Sequence, residues 1–236
     1  MQTKVKEKPI LFNAEMVRAV LEGRKTQTRR VVKGLPGDAE LVGFKDGYAT
    51  FAFMEDYGDG VKVETWETVR CPYGQPGGRL WVRETWAHYQ TVNAVHRIDG
   101  RAFSEVSDGL AGYRADGHGT IEDFRRHIAS MSDCDLEAVE INGDRWRPSI
   151  HMTRWASRIT LEVVSVRVER VQEIKPWELA LEGINVPPGP PMGPQQFINV
   201  WRPKFIALWD SINEKRGYGW DQNPFVWCVE FKRVDP

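Results

Sequence analysis

The stretch SRITLEVVSVRVERV, residues 157–171, constrains the fold more than any other part of the chain, because it alternates as a strand does but not in one phase. Ile159, Leu161 and Val163 share one face; the alternation then slips by one residue and Val164, Val166 and Val168 take over. Successive side chains in a strand point to opposite faces, so a slip of one is what a β-bulge produces, and bulges recur where sheets curl into small barrels. Other strand-like runs surround it: PILF at 9–12, pieces around Tyr48–Met54 and Val61–Val69, RLWVRETW at 79–86 and FVWCVEFKRV at 225–234. WRPSIHMTRW at 146–155 also reads as extended, and CPYGQPGG at 71–78 as a turn.

Helical spacing appears between these runs. Met16, Val17, Val20 and Leu21 form one apolar face over 14–22, with Asn13 as N-cap, Phe12 and Val17 spaced as a hydrophobic staple, and Gly23 ending the helix. PWELALEG, 176–183, reads as two turns with Pro176 near the start and Gly183 after the end. Phe197, Trp201, Phe205, Leu208, Trp209 and Ile212 mark a third helix, with Pro203 beginning its second half, and VPPGPPMGP (186–194) is a loop before it. Short strands with helices between them predict an α+β fold on a curled sheet or small barrel, with peripheral short helices. Residues 85–150, more polar and carrying the acidic piece MSDCDLEAVE, read as a large irregular insertion on a single domain of residues 1–236.

Composition narrows the function. No window approaches the roughly 20 apolar residues of a membrane span, and the start MQTKVKEKPILF has no apolar core of signal-peptide length, so a cytoplasmic protein is expected. Cys71, Cys134 and Cys228 are odd in number and far apart, which fits a reducing compartment. The histidines His88, His96, His118 and His127 show no metal-ligand spacing, so neither metal nor cofactor is expected. The net charge of -1 excludes a generally basic nucleic-acid coat, so any attraction to phosphate must be local. Arginines number 21 against 11 lysines, a bias toward bidentate recognition.

That local concentration exists. LEGRKTQTRRVVK, residues 21–33, gathers Arg24, Lys25, Arg29, Arg30 and Lys33 around Thr26, Gln27 and Thr28, just past the end of the first helix. Strand, short helix and GRKTQTRR together resemble the ASCH family of PUA-like domains, whose hallmark is G-x-K followed by an arginine; Gly23, Lys25 and either Arg29 or Arg30 fit it. The runs RLWVRETW, WRPSIHMTRWASRI and KRGYGWD resemble those of long phage and prophage members. Gly78 stands where such members carry Asp, and Thr153 where they carry Pro. A small member of the family hydrolyses N(4)-acetylcytidine. Its motif lysine and threonine fall on Lys25 and Thr28, its barrel strand on TLEV (160–163), its essential glutamate on Glu182 and its last strand on VEFK (229–232). Residues 85–150 have no counterpart in it.

The resemblance implies a PUA-like barrel that recognises a nucleobase or nucleoside, with amide hydrolysis by Lys25, Thr28 and Glu182 and substrate contact from Arg29 or Arg30. Such chemistry needs a nucleophile, a proton acceptor and a clamp for the oxyanion. Thr28 offers a hydroxyl, and Lys25 becomes a base if burial or the neighbouring cations Arg24, Arg29 and Arg30 lower its pKa. Glu182, at the negative end of its helix, is expected to titrate above the ordinary carboxylate range. In an extended strand Lys25 and Thr28 face opposite sides, so the chain must turn between them. Glu84 in VRETW is the reserve carboxylate at the substrate, and each residue also has a plain structural role open to it: a solvated basic face, a surface Glu182, a paired Glu84. Arg147, Ser149 and His151 alternate along one face and either line the cleft or hold a structural strand; Tyr218 and Trp220 of GYGW either stack a base or close the core. Rival readings are a non-catalytic RNA- or DNA-binding module, a ribonuclease-type protein of phage origin, and an interaction protein whose 85–150 segment contacts a host or phage protein.

Overall fold

The structure, a computed structural model, describes residues 7–56, 58, 61–98, 101–106, 110–132, 139–141, 145–185, 195 and 197–234. The expected loop at 186–194, Cys134 and most of the acidic piece at 131–140 lie outside the described residues. In chain order the elements are β1 (Glu7–Leu11), α1 (Ala14–Leu21), β2 (Gln27–Val31), β3 (Glu40–Lys45), β4 (Tyr48–Asp56), β5 (Lys62–Arg70), β6 (Arg79–Arg83) and β7 (Trp86–Ile98). β8 (Arg101–Val106), β9 (Leu110–Tyr113), α2 (Ile121–Ser132), β10 (Val139–Ile141), β11 (Thr160–Arg170), α3 (Glu178–Leu181), α4 (Arg202–Asn213) and β12 (Phe225–Val234) follow. The fold is mixed α+β, mostly sheet with a few helices. One sheet runs β1-β6-β11-β12-β2, a second β10-β7-β8 with β9 also on β7, and a third is the meander β3-β4-β5. The largest sheet has β1 and β2 at its two ends, so no closed barrel forms among the described residues. Among those residues, too, no helix is long and apolar enough to cross a membrane.

The chain folds as two compact units. One holds the described residues up to Lys8, Ala19–Leu80 and those from Leu161 onward; the other holds those of Pro9–Arg18 and Trp81–Thr160. In the first, α4 packs Phe205 and Trp209 with Trp201, Trp220, Val171, Ile174, Leu179 and Val226. Burying each such side chain contributes about 1.5–3 kcal/mol. Pro203 sits in the first turn of α4, where its missing N–H costs nothing. In the second unit α2 lays Ile121, Phe124 and Ile128 on Ala87. Gly112 permits this, since a Cβ there would lie 1.9 Å from the Phe124 ring.

Several local expectations hold. The Asn13 side chain accepts the Met16 N–H at 2.8 Å, an N-cap bond on α1. Gly23 adopts φ 73, the left-handed conformation that ends a helix, and Arg24 and Lys25 both donate their backbone N–H to Ala19 O. The strands expected near Tyr48–Met54 and Val61–Val69 are β4 and β5, paired from Tyr48↔Arg70 to Asp56↔Lys62.

Others are corrected. The segment 85–150 is not irregular: β7, β8, β9, β10 and α2 lie in it, their alternation hidden in the sequence by polar residues such as His88, Gln90 and Asn93. RLWVRETW is broken between β6 and β7, leaving Glu84 and Thr85 between strands. WRPSIHMTRW is not extended. Ser149–His151 and Arg154–Ala156 are single turns of 3-10 helix, the first started by Pro148, whose ring fixes φ at -57. Arg147, Ser149 and His151 therefore do not share a strand face. The phase slip is a separate case: Ile159, just before β11, and Leu161 and Val163 are buried in the first phase, and in the second Val166 is buried while Val164 is 49% exposed. Arg167 and Glu169 share a face farther along β11, where Arg167 Nε donates to Glu169 Oε2 at 3.0 Å.

Candidate functional site

Glycine punctuation and strand pairing bring the motif to Glu182. Past Gly23 the chain enters β2, held by Thr26 N–H donating to Leu181 O at 3.0 Å and Phe231 N–H donating to Thr26 O at 2.8 Å. The first places the end of α3 beside Lys25; the second locks the start of β2 to β12, with which it pairs Gln27↔Glu230, Thr28↔Val229 and Arg29↔Cys228. Glu182 caps α3 with helical φ and ψ, and Gly183 reverses the chain at φ 86.

Lys25 is 2% exposed although it is a lysine. Its Nζ donates to Gln27 O at 2.8 Å, Glu182 O at 2.7 Å and Glu182 Oε2 at 3.1 Å. Burial pushes the Lys25 ammonium below the ordinary lysine range; Glu182 opposes this by attraction and hydrogen bonding, while Arg30 and Arg29 add to the lowering. The expectation of a depressed Lys25 is met, with burial as the main cause and Arg24 taking no part. Arg24 is exposed and pairs with Glu22. Lys33 is exposed as well.

Arg29 lies on the cluster face of β2. Nε and Nη2 donate to Glu169 Oε1 at 2.9 and 2.5 Å, Nη2 to Glu178 Oε2 at 2.7 Å and Nη1 to Glu182 Oε1 at 2.9 Å. The Gln27 amide, oriented so that its oxygen faces Arg29, accepts from Nη1 at 2.7 Å. A guanidinium has five N–H donors, and these five contacts engage them all. Burial would lower the Arg29 guanidinium, but the Glu182, Glu169 and Glu178 carboxylates raise it above the ordinary arginine range. Arg167, a third exposed, closes the other side: Nε donates to Glu169 Oε2 at 3.0 Å, Nη1 to Glu230 Oε1 at 2.7 Å and Nη2 to Glu178 Oε1.

The remaining expected residues fall elsewhere. Thr28 is buried on β2, but alternation turns it to the face opposite Gln27 and Arg29. Arg30 shares that opposite face, half-buried, and burial pushes its guanidinium down. Glu84, in the other unit, receives Arg158 Nε and Nη2 at 3.0 and 3.1 Å; burial pushes its carboxyl up and Arg158 pulls it back. Arg158 reaches Asp116 too, so Glu84 serves a structural clamp. Arg147 exchanges backbone hydrogen bonds with Trp86, Ser149 is half-buried and His151 is exposed. Trp220 is buried against Phe205, ring centroids 6.1 Å apart, and Tyr218 is half-buried with its carbonyl accepting Trp209 Nε1–H. The core role of Trp220 is the one the structure gives.

Sequence reading missed Glu169, Glu178, Arg167 and Cys228. Cys228 is fully buried opposite Arg29, and burial pushes its thiol up despite Arg29 and Arg167 nearby. Among the described residues no group of three or more His, Cys, Asp or Glu is placed to hold a metal ion. Chemically, the cluster can hold a proton between a buried amine and a carboxylate, inside a frame of fixed charges. Comparisons with models of protein families, with curated proteins and with solved structures find no match.

Proposed function

We propose that the chain is a nucleobase- or nucleoside-recognising domain of the ASCH, PUA-like type that hydrolyses an amide, with N(4)-acylated cytidine as the substrate type. The observation that carries the reading is the buried contact of Lys25 Nζ with Glu182 Oε2 at 3.1 Å. Two residues 157 apart in sequence meet there, and they are the lysine and glutamate that the resemblance assigns to catalysis. Burial that lowers Lys25 favours the neutral amine a base requires. In this reading Lys25 and Glu182 take the proton of the attacking oxygen as it bonds to the acyl carbon. The C–N bond then breaks, the proton passes to the leaving amine, and the acyl group ends as a carboxylate. The attacking oxygen is the Thr28 hydroxyl, followed by hydrolysis of the ester, or water directly; the placement of Thr28 on the other face of β2 favours water.

Acetate release from N(4)-acetylcytidine, measured for wild type, Lys25→Ala and Thr28→Ala, tests it. Turnover by wild type, lost in Lys25→Ala, is expected, and Thr28→Ala retains turnover if water attacks. Equal turnover by wild type and Lys25→Ala, or none by wild type across a panel of acylated nucleosides, overturns the reading. One observation favours a second reading, a base-binding module without catalysis: three protein acceptors surround Lys25 Nζ, which suits a charged ammonium holding structure. That module would bind single-stranded RNA or DNA with affinity falling as salt rises, and unchanged binding by Lys25→Ala would separate it from the hydrolase.

A further inference from the structure

Arg29, Glu169, Arg167 and Glu178 form a closed ring of alternating charge. Arg29 reaches Glu169 at 2.5 Å and Glu178 at 2.7 Å, and Arg167 reaches the second oxygen of each carboxylate. Each carboxylate thus bridges the two guanidiniums with a different oxygen. The ring draws on three elements: Arg29 from β2, Arg167 and Glu169 from β11, Glu178 from the first turn of α3. Glu178 is fixed further by the Lys175 N–H, which donates to Oε2 at 2.8 Å. The one Arg29 nitrogen outside the ring, Nη1, points at Glu182 Oε1, 2.9 Å away, while the other Glu182 oxygen meets Lys25.

We propose that this ring is a positioning device: Glu169 and Glu178 fix Arg29, and Arg29 fixes the Glu182 carboxylate against Lys25. The inference rests on the hydrolase reading for its kinetic consequences, but not for the geometry it asserts. Arg29 is then a positioning residue and not a substrate clamp, since all five of its donors serve the protein. The ring sets two guanidiniums against two carboxylates, so Arg29 meets Glu182 from within a charge-balanced frame. Without the ring, Glu182 would keep Lys25 as a partner but lose the second anchor that sets its plane, and a displacement of about 1 Å at a reacting group can lower a rate on the order of 100-fold.

The test compares wild type, Glu178→Gln and Glu178→Asp. Glu178→Gln removes a negative charge from the surroundings of Lys25, which faces Glu182 from α3 and Arg29 and Arg30 from β2. Its amine should therefore titrate at lower pH, read by NMR of protein carrying isotope-labelled lysine. A lower Lys25 value enlarges the neutral fraction, yet kcat should fall about 100-fold at its plateau with KM little changed. Glu178→Asp restores the charge but not the reach, so the Lys25 titration should return toward wild type while kcat stays low. In the wild type itself, NMR of the Arg29 guanidinium should show separate, slowly exchanging Nη protons. Free rotation of that group, or Glu178→Gln with the wild-type Lys25 titration and kcat within about twofold, overturns the proposal. A wild type without turnover would remove the hydrolase reading alone, leaving the lysine titration and guanidinium spectra to decide on the ring.

Discussion

Two ion pairs of equal length separate burial from proximity as the source of stability. Arg24 Nη2 lies 2.5 Å from Glu22 and Arg29 Nη2 2.5 Å from Glu169, but the first pair's side chains are 41% and 53% exposed and the second pair's 1% and 13%. An exposed pair is screened by water and contributes about 0–1 kcal/mol. Removing one partner of a buried pair costs about 3–5 kcal/mol, because it strands a desolvated charge. Arg29→Met would strand no carboxylate completely: Glu182 keeps Lys25, and Glu169 and Glu178 keep Arg167. The cluster around Glu169, Glu178, Glu182 and Glu230 would nevertheless lose a buried guanidinium and become one charge more negative. The lower end, about 3 kcal/mol, is therefore expected. At about 2–4 °C per kcal/mol for a chain of this size, the melting temperature should fall by about 6–12 °C. Arg24→Met should change it by about 4 °C or less. Urea unfolding of both variants beside wild type measures the difference. Arg29→Met within about 0.5 kcal/mol of Arg24→Met would refute the claim that the buried cluster holds β2, β11 and α3 together.

Gly183→Ala should destabilise by about 1–3 kcal/mol and disturb Lys25, since φ 86 disfavours a side chain and the new Cβ would sit 3.0 Å from Ala19 Cβ and 3.2 Å from Lys25 Cβ; urea unfolding with the lysine NMR titration reads both. Lys25 binds its proton less tightly folded than unfolded, so wild type should gain stability over Lys25→Met as pH rises from the lowered folded value toward about 10.5. The raised Cys228 thiol acts oppositely above about pH 9, but it is common to both proteins and cancels in the comparison. A flat difference across that window would show that Lys25 keeps an ordinary affinity for its proton. Cys228, fully buried, should resist a thiol reagent until denaturant is added, as peptide mass mapping would reveal; labelling in the native protein would contradict its burial.

What the sequence made legible was local. The Asn13 cap, the Gly23 stop and the Gly183 reversal depend on residues within four or five positions, and each appears where the spacing places it. The meeting of Lys25 with Glu182 came from resemblance to a family motif. Nothing near either residue announces the other, 157 positions away. The ring stayed hidden for the same reason: Arg29 to Glu169 spans 140 residues. A signal for it existed in β11, where Arg167 and Glu169, two apart and half-buried in a strand that begins apolar, are charges that ask for partners. Pro148 misled, since a proline allows both an extended entry and the 3-10 turn that forms.

Lys25 and Glu182 act as one unit in this account, so their removal should not add. The most direct measurement is amide hydrolysis of N(4)-acetylcytidine by Lys25→Met, Glu182→Gln and the double variant, each checked for folding beside wild type. The account predicts that either single change lowers kcat/KM about as far as both together, as for residues that share one step. Singles that keep wild-type rates, or losses that multiply in the double variant, would contradict it.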